Sequence, residues 1–212
     1  MSIWAIIPVK PLTQAKSRLE GALSPDERKQ LSEMMFRRVL TTVKSVPQIT
    51  GALVISRDSH ALAIARDLGA HTVQESGAPE LNNALMRATQ VVGGWRGGAV
   101  LILPADLPLI TADDVQGITE LGQENMTVVV ATDNHEDGTN AMLIRPPGMI
   151  PYAYGIGSFQ RHMALAKEAG ASVKVYHSDR LALDIDMPAD LEKYYRLTGS
   201  AQGLTLTPGG TA

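Results

Sequence analysis

The chain has 212 residues, which is enough for one domain with a sizeable hydrophobic core. Its formal net charge of −3 argues against a protein that binds nucleic acid by neutralising many phosphates. The absence of cysteine excludes disulfides and thiolate metal sites and is typical of a reducing compartment. The sequence has no leader of the secretory type, and no apolar run approaches the ~20 residues of a membrane-spanning helix. We therefore expect a soluble, cytoplasmic protein with neither a membrane nor a nucleic acid as its partner.

Short apolar, β-branched runs alternate with segments of helical periodicity along the chain. Strands are predicted at residues 4–9, 52–56, 71–74, 99–103, 127–131, 141–144, 173–176 and 181–185. Helices are predicted at residues 25–46, 59–68, 81–92, 112–121, 159–169 and 188–197. This alternation predicts a single-domain α/β fold over residues 1–197, with a mainly parallel mixed sheet flanked by helices. Residues 198–212 are small, polar and glycine-rich, and are predicted to form a disordered tail.

Three cations follow the first predicted strand. Lys10 comes directly after it, and Lys16 and Arg18 lie within the next eight residues. Lysine as a point charge and arginine as a planar fork are suited to holding a triphosphate. No glycine lies between Pro8 and Glu20, so the segment is neither a Walker A loop nor a G-x-G-x-x-G fingerprint. The alternative interpretation is a solvated basic loop.

Asn82 and Asn83 stand at the start of the third predicted helix. Their side-chain amides are able to contact the edge of a nucleotide base or a ribose. The alternative is that Asn82 only caps the helix, which is a common role for asparagine.

Asp106 follows the apolar run 99–103, in the segment Pro104-Ala105-Asp106-Leu107-Pro108. Ligands of parallel sheets bind outside the carboxyl ends of the strands, which is where this residue is expected. A carboxylate there suits Mg²⁺, because Mg²⁺ prefers hard oxygen ligands together with substrate phosphates. The alternative is that Asp106 only shapes a turn between two prolines.

The loop before the fifth predicted helix contains Gly155, Gly157 and Ser158. The glycines would let backbone N–H groups approach an anion, and the serine can cap the helix or donate to the anion. The alternative, which these residues alone favour, is a flexible loop with Ser158 as an ordinary N-cap. His162, one turn into the helix, is predicted to be a packing or surface residue and not a ligand.

Asp184 lies in the last predicted strand and Asp186 directly follows it, and side chains two residues apart share a face in extended backbone. Two carboxylates on one face repel each other unless a cation or protons intervene, so the pair favours metal binding. The alternative is that Asp186 stabilises the helix that opens at Pro188, but this explains only one of the two residues. Together with Asp106, the pair predicts a divalent metal site and phosphoryl or nucleotidyl transfer.

Taken in chain order, these motifs resemble the CofC/FbiD guanylyltransferase family of coenzyme F420 biosynthesis. The resemblance covers roughly residues 3–196. It is carried by Pro8-Val9-Lys10, Ala15-Lys16-Ser17-Arg18-Leu19, Leu81-Asn82-Asn83-Ala84-Leu85, Pro104-Ala105-Asp106-Leu107-Pro108, Asp137-Gly138-Thr139-Asn140, Gly155-Ile156-Gly157-Ser158-Phe159 and Asp184-Ile185-Asp186-Met187-Pro188-Ala189-Asp190-Leu191.

The resemblance implies a nucleotide-diphospho-sugar transferase-like fold, similar to that of molybdenum-cofactor guanylyltransferase. It also implies an enzyme that joins GTP to a phosphorylated three-carbon acid and releases pyrophosphate. Phosphoenolpyruvate, 2-phospho-L-lactate and 3-phosphoglycerate all remain open as the acid. The product would pass to a second transferase, the downstream partner, which joins it to a deazaflavin.

The resemblance also implies roles for particular residues. The residues implied to hold Mg²⁺ are Asp106, Asp184 and Asp186. Those implied to bind the acceptor acid are Thr139, Gly155 (or Gly157 in its place) and Ser158. Those implied to lie near the nucleotide are Lys10, Lys16 and Arg18 at its phosphates and Asn82 at its sugar or base. Catalysis would rest on Asp106, Lys16 and Arg18.

Two other functions remain as alternatives. The first is another nucleotidyltransferase of this fold, acting on a sugar phosphate or on the molybdenum cofactor. Such enzymes usually have a glycine-rich first loop, which residues 8–13 lack. The second is a catalytically silent nucleotide-binding module, and the presence of all three aspartates argues against it.

Overall fold

The computed structural model of the chain describes residues 2–77 and 79–199. One seven-stranded sheet is formed by β1 (Ile3–Val9), β2 (Ile49–Ser56), β3 (His71–Gln74), β4 (Ala99–Ile102), β5 (Thr127–Thr132), β6 (Thr139–Arg145) and β7 (Ser172–Val175). The helices are α1 (Pro25–Ser45), α2 (Ser59–Asp67), α3 (Leu81–Gly94), α4 (Ala112–Leu121), α5 (Ser158–Glu168) and α6 (Pro188–Thr198), with a 3₁₀ turn at Ser17–Leu19. The strand order is β3-β2-β1-β4-β6-β5-β7. The predicted α/β fold is confirmed.

The sheet is mixed because β6 runs antiparallel to both of its neighbours, β4 and β5. The other pairs, β1 with β2, β1 with β4, β2 with β3 and β5 with β7, are parallel. Each parallel step needs a helical crossover, whereas a short connection is enough to reverse the chain between β5 and β6. The single reversal therefore leaves β1 to β4 with their carboxyl ends at one edge.

Both faces of the sheet are covered, which explains the continuous apolar runs in the strands. Along β1, Ala5 and Ile7 pack into the core that contains Phe36 of α1. Ile6 points to the opposite face and packs into the core that contains Leu85 of α3. This alternation follows from the two-residue period of a strand.

The predicted strand at residues 181–185 is wrong, because this segment pairs with no strand of the sheet. It is nevertheless extended, with Leu181, Leu183 and Ile185 buried and the intervening residues partly exposed. Hydrogen bonds from side chains replace the ladder: the Nδ2 of Asn140 donates to the Leu181 carbonyl at 2.8 Å. Asn134 donates to the next carbonyl from both its backbone and its amide group. The period of two, without strand pairing, still places the two aspartates on the side away from the core.

Helix α6 ends at Thr198, and residues 200–212 of the predicted tail lie outside the described residues. Across the described ranges, the model contains no helix with the length and apolar character needed to span a membrane.

Candidate active site

A cavity of about 330 Å³ opens at the carboxyl ends of four adjacent parallel strands. The first charged residue after each strand lines its wall. In the order β3, β2, β1 and β4, these residues are Glu75, Arg57, Lys10 and Asp106. Lys16 and Asp186 also line the cavity. The strand order therefore collects charges that lie up to 176 residues apart in the sequence.

Lys16 joins two of the three predicted metal-binding aspartates. Its Nζ lies 2.7 Å from Oδ2 of Asp106 and 3.1 Å from Oδ1 of Asp186. The lysine side chain is only 6% exposed, so both contacts are largely shielded from water. Its backbone is left-handed, with φ 58°, a conformation that costs a residue other than glycine roughly 1–2 kcal/mol. The two ion pairs offset that cost and fix the ammonium group at the cavity.

Lys16 and Asp106 each stabilise the charged form of the other. Burial on its own would lower the pKa of Lys16, but the carboxylates of Asp106 and Asp186 outweigh it and raise this pKa above its usual value. Burial likewise opposes ionisation of Asp106, but Lys16, with a contribution from Lys10, lowers the pKa of that carboxyl group. Both groups are therefore charged at neutral pH.

Arg18 is not among the residues that line the cavity, but it contacts Asp186, which does line it. Its Nη1 is 3.2 Å from Oδ2 of Asp186, and its side chain is 69% exposed. An exposed ion pair of this kind contributes little to stability, so the guanidinium group can exchange the carboxylate for another anion at small cost.

Asp184 completes the acidic group. Burial raises its pKa to about 6, and the charges of Asp106 and Asp186 add to the effect. The Nδ2 of Asn140 lies 3.4 Å from its Oδ1. The structure thus brings the three aspartates of the sequence analysis together.

The donor set fits Mg²⁺ in its chemistry, because three carboxylates supply hard oxygen ligands and their mutual repulsion calls for a cation. Within residues 2–77 and 79–199, however, no three acidic, histidine or cysteine side chains are close enough together to hold a metal ion in this arrangement. The Lys16 ammonium lies between two of the carboxylates. A divalent ion bound by all three would have to displace it, so the metal site stays a prediction.

Thr139, Ser158 and His162 form a buried hydrogen-bonded network, and Asn140, which follows Thr139, contacts Asp184. The Ser158 hydroxyl lies 3.2 Å from Oγ1 of Thr139, and Nδ1 of His162 lies 2.9 Å from the same atom. The backbone N–H of Ala153 donates to Nε2 of His162 at 2.9 Å. Because that nitrogen must accept, we assign the ring hydrogen to Nδ1, which donates to Thr139.

His162 is fully buried. Of the two roles predicted for it, packing and surface, the structure shows packing. Burial, helped by the charge of Arg161, lowers the pKa of His162 to about 4. The ring is therefore neutral at physiological pH, and its two hydrogen bonds orient the hydroxyl of Thr139. Sequence reasoning missed this orienting role, because Thr139, Ala153 and His162 lie on three separate segments.

The two loop glycines differ in the use of their N–H groups. Gly155 has φ 122° and Gly157 has φ 70°, values that favour glycine. The N–H of Gly157 donates to Oδ1 of Asp137 at 3.1 Å. Among the described residues, the N–H of Gly155 has no hydrogen-bond partner. Of the two, Gly155 is the one with a donor to offer an anion.

Asn82 makes a contact that neither sequence interpretation included. Its Oδ1 accepts from the backbone N–H of Tyr154 at 2.8 Å, which braces the loop before Gly155. The cap of α3 is Glu80, whose side chain accepts from two backbone N–H groups, so the helix-capping alternative for Asn82 is wrong. Asn82 is not part of the cavity wall. Contact with a nucleotide therefore stays a prediction for this residue.

Sequence reasoning missed Asn140, Arg57 and Glu75. Asn140 adjoins a predicted acceptor residue, but its contact with Asp184 spans 44 positions. Arg57 and Glu75 directly follow β2 and β3. The rule that ligands bind at the carboxyl ends of parallel strands would have identified both residues.

Comparison with known proteins places the chain in a family. The model of the family described as "Guanylyl transferase CofC like" matches residues 3–201. The chain belongs to this family. A phosphoenolpyruvate guanylyltransferase of Rubrobacter xylanophilus is 41% identical over 198 residues, covering 91% of this chain and 93% of the relative. A 2-phospho-L-lactate guanylyltransferase of Methanothermobacter thermautotrophicus is 37% identical over 191 residues, covering 90% and 83%.

A solved structure supports the fold independently. It is described as a nucleotide-diphospho-sugar transferase from Desulfovibrio desulfuricans G20, and it matches with a TM-score of 0.75. The match covers 95% of this chain and 90% of that one at 16% sequence identity, so it bears on the fold alone. The fold expected from the CofC/FbiD resemblance is confirmed.

Proposed function

We propose that the chain is a GTP-dependent guanylyltransferase that joins GTP to phosphoenolpyruvate or 2-phospho-L-lactate and releases pyrophosphate, in coenzyme F420 biosynthesis. The observation that carries this proposal is the acidic group of Asp106, Asp184 and Asp186 in a CofC-family chain, in which the buried Lys16 bridges Asp106 and Asp186. Carboxylates and cations at one edge of a cavity suit a reaction between two phosphate-bearing substrates.

The reaction is an in-line displacement. A phosphate oxygen of the acceptor acid attacks the α-phosphorus of GTP, and the bond from that phosphorus to the bridging oxygen breaks. The electron pair leaves on pyrophosphate. Because the nucleophile is already an anion, no strong general base is required, and the main obstacle is repulsion between the two substrates.

The cations of the site offset that repulsion. Asp106, Asp184 and Asp186 would hold Mg²⁺, which supplies Lewis-acid stabilisation of the reacting phosphates. Lys16 and Arg18, released from their carboxylates, would donate to the phosphates and stabilise charge on the leaving pyrophosphate. Lys10, at the end of β1, adds a third positive charge to the same wall.

The acceptor acid would bind beside this group. Oγ1 of Thr139 accepts from Ser158 and His162, so its own hydrogen, with the N–H of Gly155, which has no partner among the described residues, can be donated to the acid. His162 fixes the orientation of the Thr139 hydroxyl. Positioning of this kind supplies much of the catalysis in phosphoryl transfer.

A direct assay tests the proposal. The purified full chain is incubated with Mg²⁺, one nucleoside triphosphate and one acceptor, which is phosphoenolpyruvate, 2-phospho-L-lactate, 3-phosphoglycerate or a sugar phosphate. Pyrophosphate release and the product mass are measured for every combination. We expect product with GTP and at least one of the first two acids, which a downstream transferase would then consume. Product only with sugar phosphates would support another nucleotidyltransferase, and no turnover with nucleotide binding retained would support a silent module.

A further inference from the structure

The cavity continues from the acidic group towards β3. Adjacent strands lie ~4.8 Å apart, so the ends of β4 and β3, three strands apart, are separated by about 14 Å. This distance is comparable to the length of an extended nucleoside monophosphate. A nucleotide with its α-phosphate near Asp106 would therefore place its base near the ends of β2 and β3. Arg57 and Glu75 stand at those ends.

Between these two ends the wall is mostly apolar. The apolar side chains that line it include Val9, Ile55, Leu81, Ala84 and Leu85. A flat purine ring can pack against such side chains, but they offer no hydrogen bonds that would distinguish one base from another. Discrimination therefore falls to the polar groups at the far end.

Arg57 and Glu75 are held in fixed positions. An Nη2 hydrogen of Arg57 bonds Oε1 of Glu75 at 3.0 Å, and Nη2 also donates to the Gly77 carbonyl at 2.8 Å. Their side chains are 28% and 14% exposed. Arg87 donates to the carbonyl of Ser76 at 2.6 Å, which holds the same loop from the other side. Because Arg57 and Arg87 both bond carbonyls of the loop after β3, the Arg57–Glu75 pair is held in place before any ligand binds.

A purely structural ion pair would leave little capacity for further hydrogen bonds, and this pair retains some. The Nε of Arg57 is buried and has no hydrogen-bond partner among the described residues. A buried donor without a partner is unfavourable, and an acceptor that reached it would remove this penalty. Of the described residues, only Arg57 donates to the Glu75 carboxylate, which has room for more donors.

We propose that Glu75 and Arg57 select guanine. A carboxylate only accepts hydrogen bonds, so it selects a base edge that presents two neighbouring donors. Guanine presents N1–H and the 2-amino group side by side, followed by the O6 acceptor. Glu75 accepts from the two donors, and the Arg57 guanidinium donates to O6, as arginine does when it reads guanine in nucleic acids.

The test rests on the proposed function and uses nucleotides that differ at position 2 of the base. The wild-type chain is assayed with GTP, ITP (which lacks the 2-amino group) and XTP (which has a carbonyl there). A hydrogen bond to a charged group contributes about 1.5–3 kcal/mol, so we expect kcat/KM for GTP to exceed that for ITP by ~10–100-fold. Equal values for GTP and ITP would overturn the assignment without any variant being made.

The matched variant is Glu75→Gln. It should lower the GTP-to-ITP ratio to roughly 1–3, and it should raise XTP use by ~10-fold because an amide donates to the carbonyl that a carboxylate repels. Glu124→Gln, the same change outside the cavity wall, should keep the wild-type ratio. A Glu75→Gln chain that folds and keeps that ratio would refute the inference. Absence of guanylyl transfer in the wild type would instead refute the proposed function itself.

Discussion

The carboxylate of Asp106 has two tasks at the residue scale. It balances the buried Lys16 ammonium, and it contributes to the group of three aspartates. Replacement of the charge by an amide removes the stronger of the two contacts of Lys16 and one oxygen ligand of the proposed metal. The ion pair with Lys16 gives Asp106 a structural role, and its catalytic role is part of the proposed function.

We expect Asp106→Asn to reduce kcat by on the order of 100-fold or more, because transition-state charge loses both the metal ligand and the placement of Lys16. The free energy of unfolding should fall by only about 1–3 kcal/mol, the contribution of one hydrogen bond to a charged group. Steady-state pyrophosphate release and urea unfolding measure the two effects. Asp113→Asn, an exposed change on α4, is the control. Wild-type turnover in Asp106→Asn at saturating Mg²⁺ would contradict the role.

Ser158 tests the acceptor side of the site. We expect Ser158→Ala to raise the KM of the acid by ~10-fold while the KM of GTP changes less. The reason is that the Ser158 hydroxyl bonds Thr139 and that Ser158 does not line the cavity proposed for the nucleotide. The two constants are measured by varying each substrate at saturation of the other. An equal rise in both would count against the acceptor assignment.

At the scale of elements, the important feature is the extended segment that replaces the predicted last strand. Its N-terminal end is anchored by the fully buried Asp114 of α4. That carboxylate accepts from Nε and Nη2 of Arg180, each at 2.8 Å, and from the Ser178 hydroxyl at 2.6 Å. Because no ladder holds the segment, these bonds position Asp184 and Asp186 together with the hydrogen bonds from Asn134 and Asn140.

We expect Arg180→Ala to loosen this segment and to lower turnover by ~10-fold, although Arg180 lies outside the cavity wall. Loss of the half-exposed Arg180 leaves the buried Asp114 carboxylate with fewer donors, which should also lower the free energy of unfolding by about 1–3 kcal/mol. Hydrogen exchange of the amides at residues 178–186 should speed up, while β1 and β4 keep their protection. The exposed Arg38→Ala change provides the control. Unchanged exchange together with unchanged turnover would show that other contacts position the aspartates.

At the scale of the whole molecule, His162 links stability to pH. Its pKa is lowered from 6.5 to about 4 in the folded state, so the unfolded chain binds the proton more readily. The contribution of the neutral His162 ring to the free energy of unfolding is complete above pH 6.5 and is lost as pH falls towards 4. Its size is about 3 kcal/mol, since each unit of pKa difference corresponds to 1.36 kcal/mol.

We therefore expect the wild-type free energy of unfolding to fall more steeply between pH 7 and pH 4.5 than that of His162→Gln. Glutamine keeps a polar group in the site but does not titrate, so the variant starts lower and declines less. Urea unfolding at several pH values measures both slopes. Parallel curves would mean that His162 does not carry this proton linkage.

Local patterns in the sequence predicted much of this molecule. All six helices were anticipated because apolar side chains recur with the helical period, and seven of the eight predicted strands exist. The eighth predicted strand, residues 181–185, is wrong because buried and exposed side chains also alternate in an extended segment that pairs with no strand. Burial of Leu183 and Ile185 produces the same pattern as a strand would. Periodicity reports which side chains are buried, not which backbone groups are paired.

The sequence by itself determined the kinds of elements, the position of Asp106 after a buried strand and the shared side of Asp184 and Asp186. Only the tertiary structure decided that Lys16 bridges two of these carboxylates and that Arg57 and Glu75 stand in one wall with them. The reason is physical: period and capping act over a few residues, whereas strand order depends on how whole faces pack. Contacts between residues 90 or 170 positions apart are therefore fixed only when the sheet assembles.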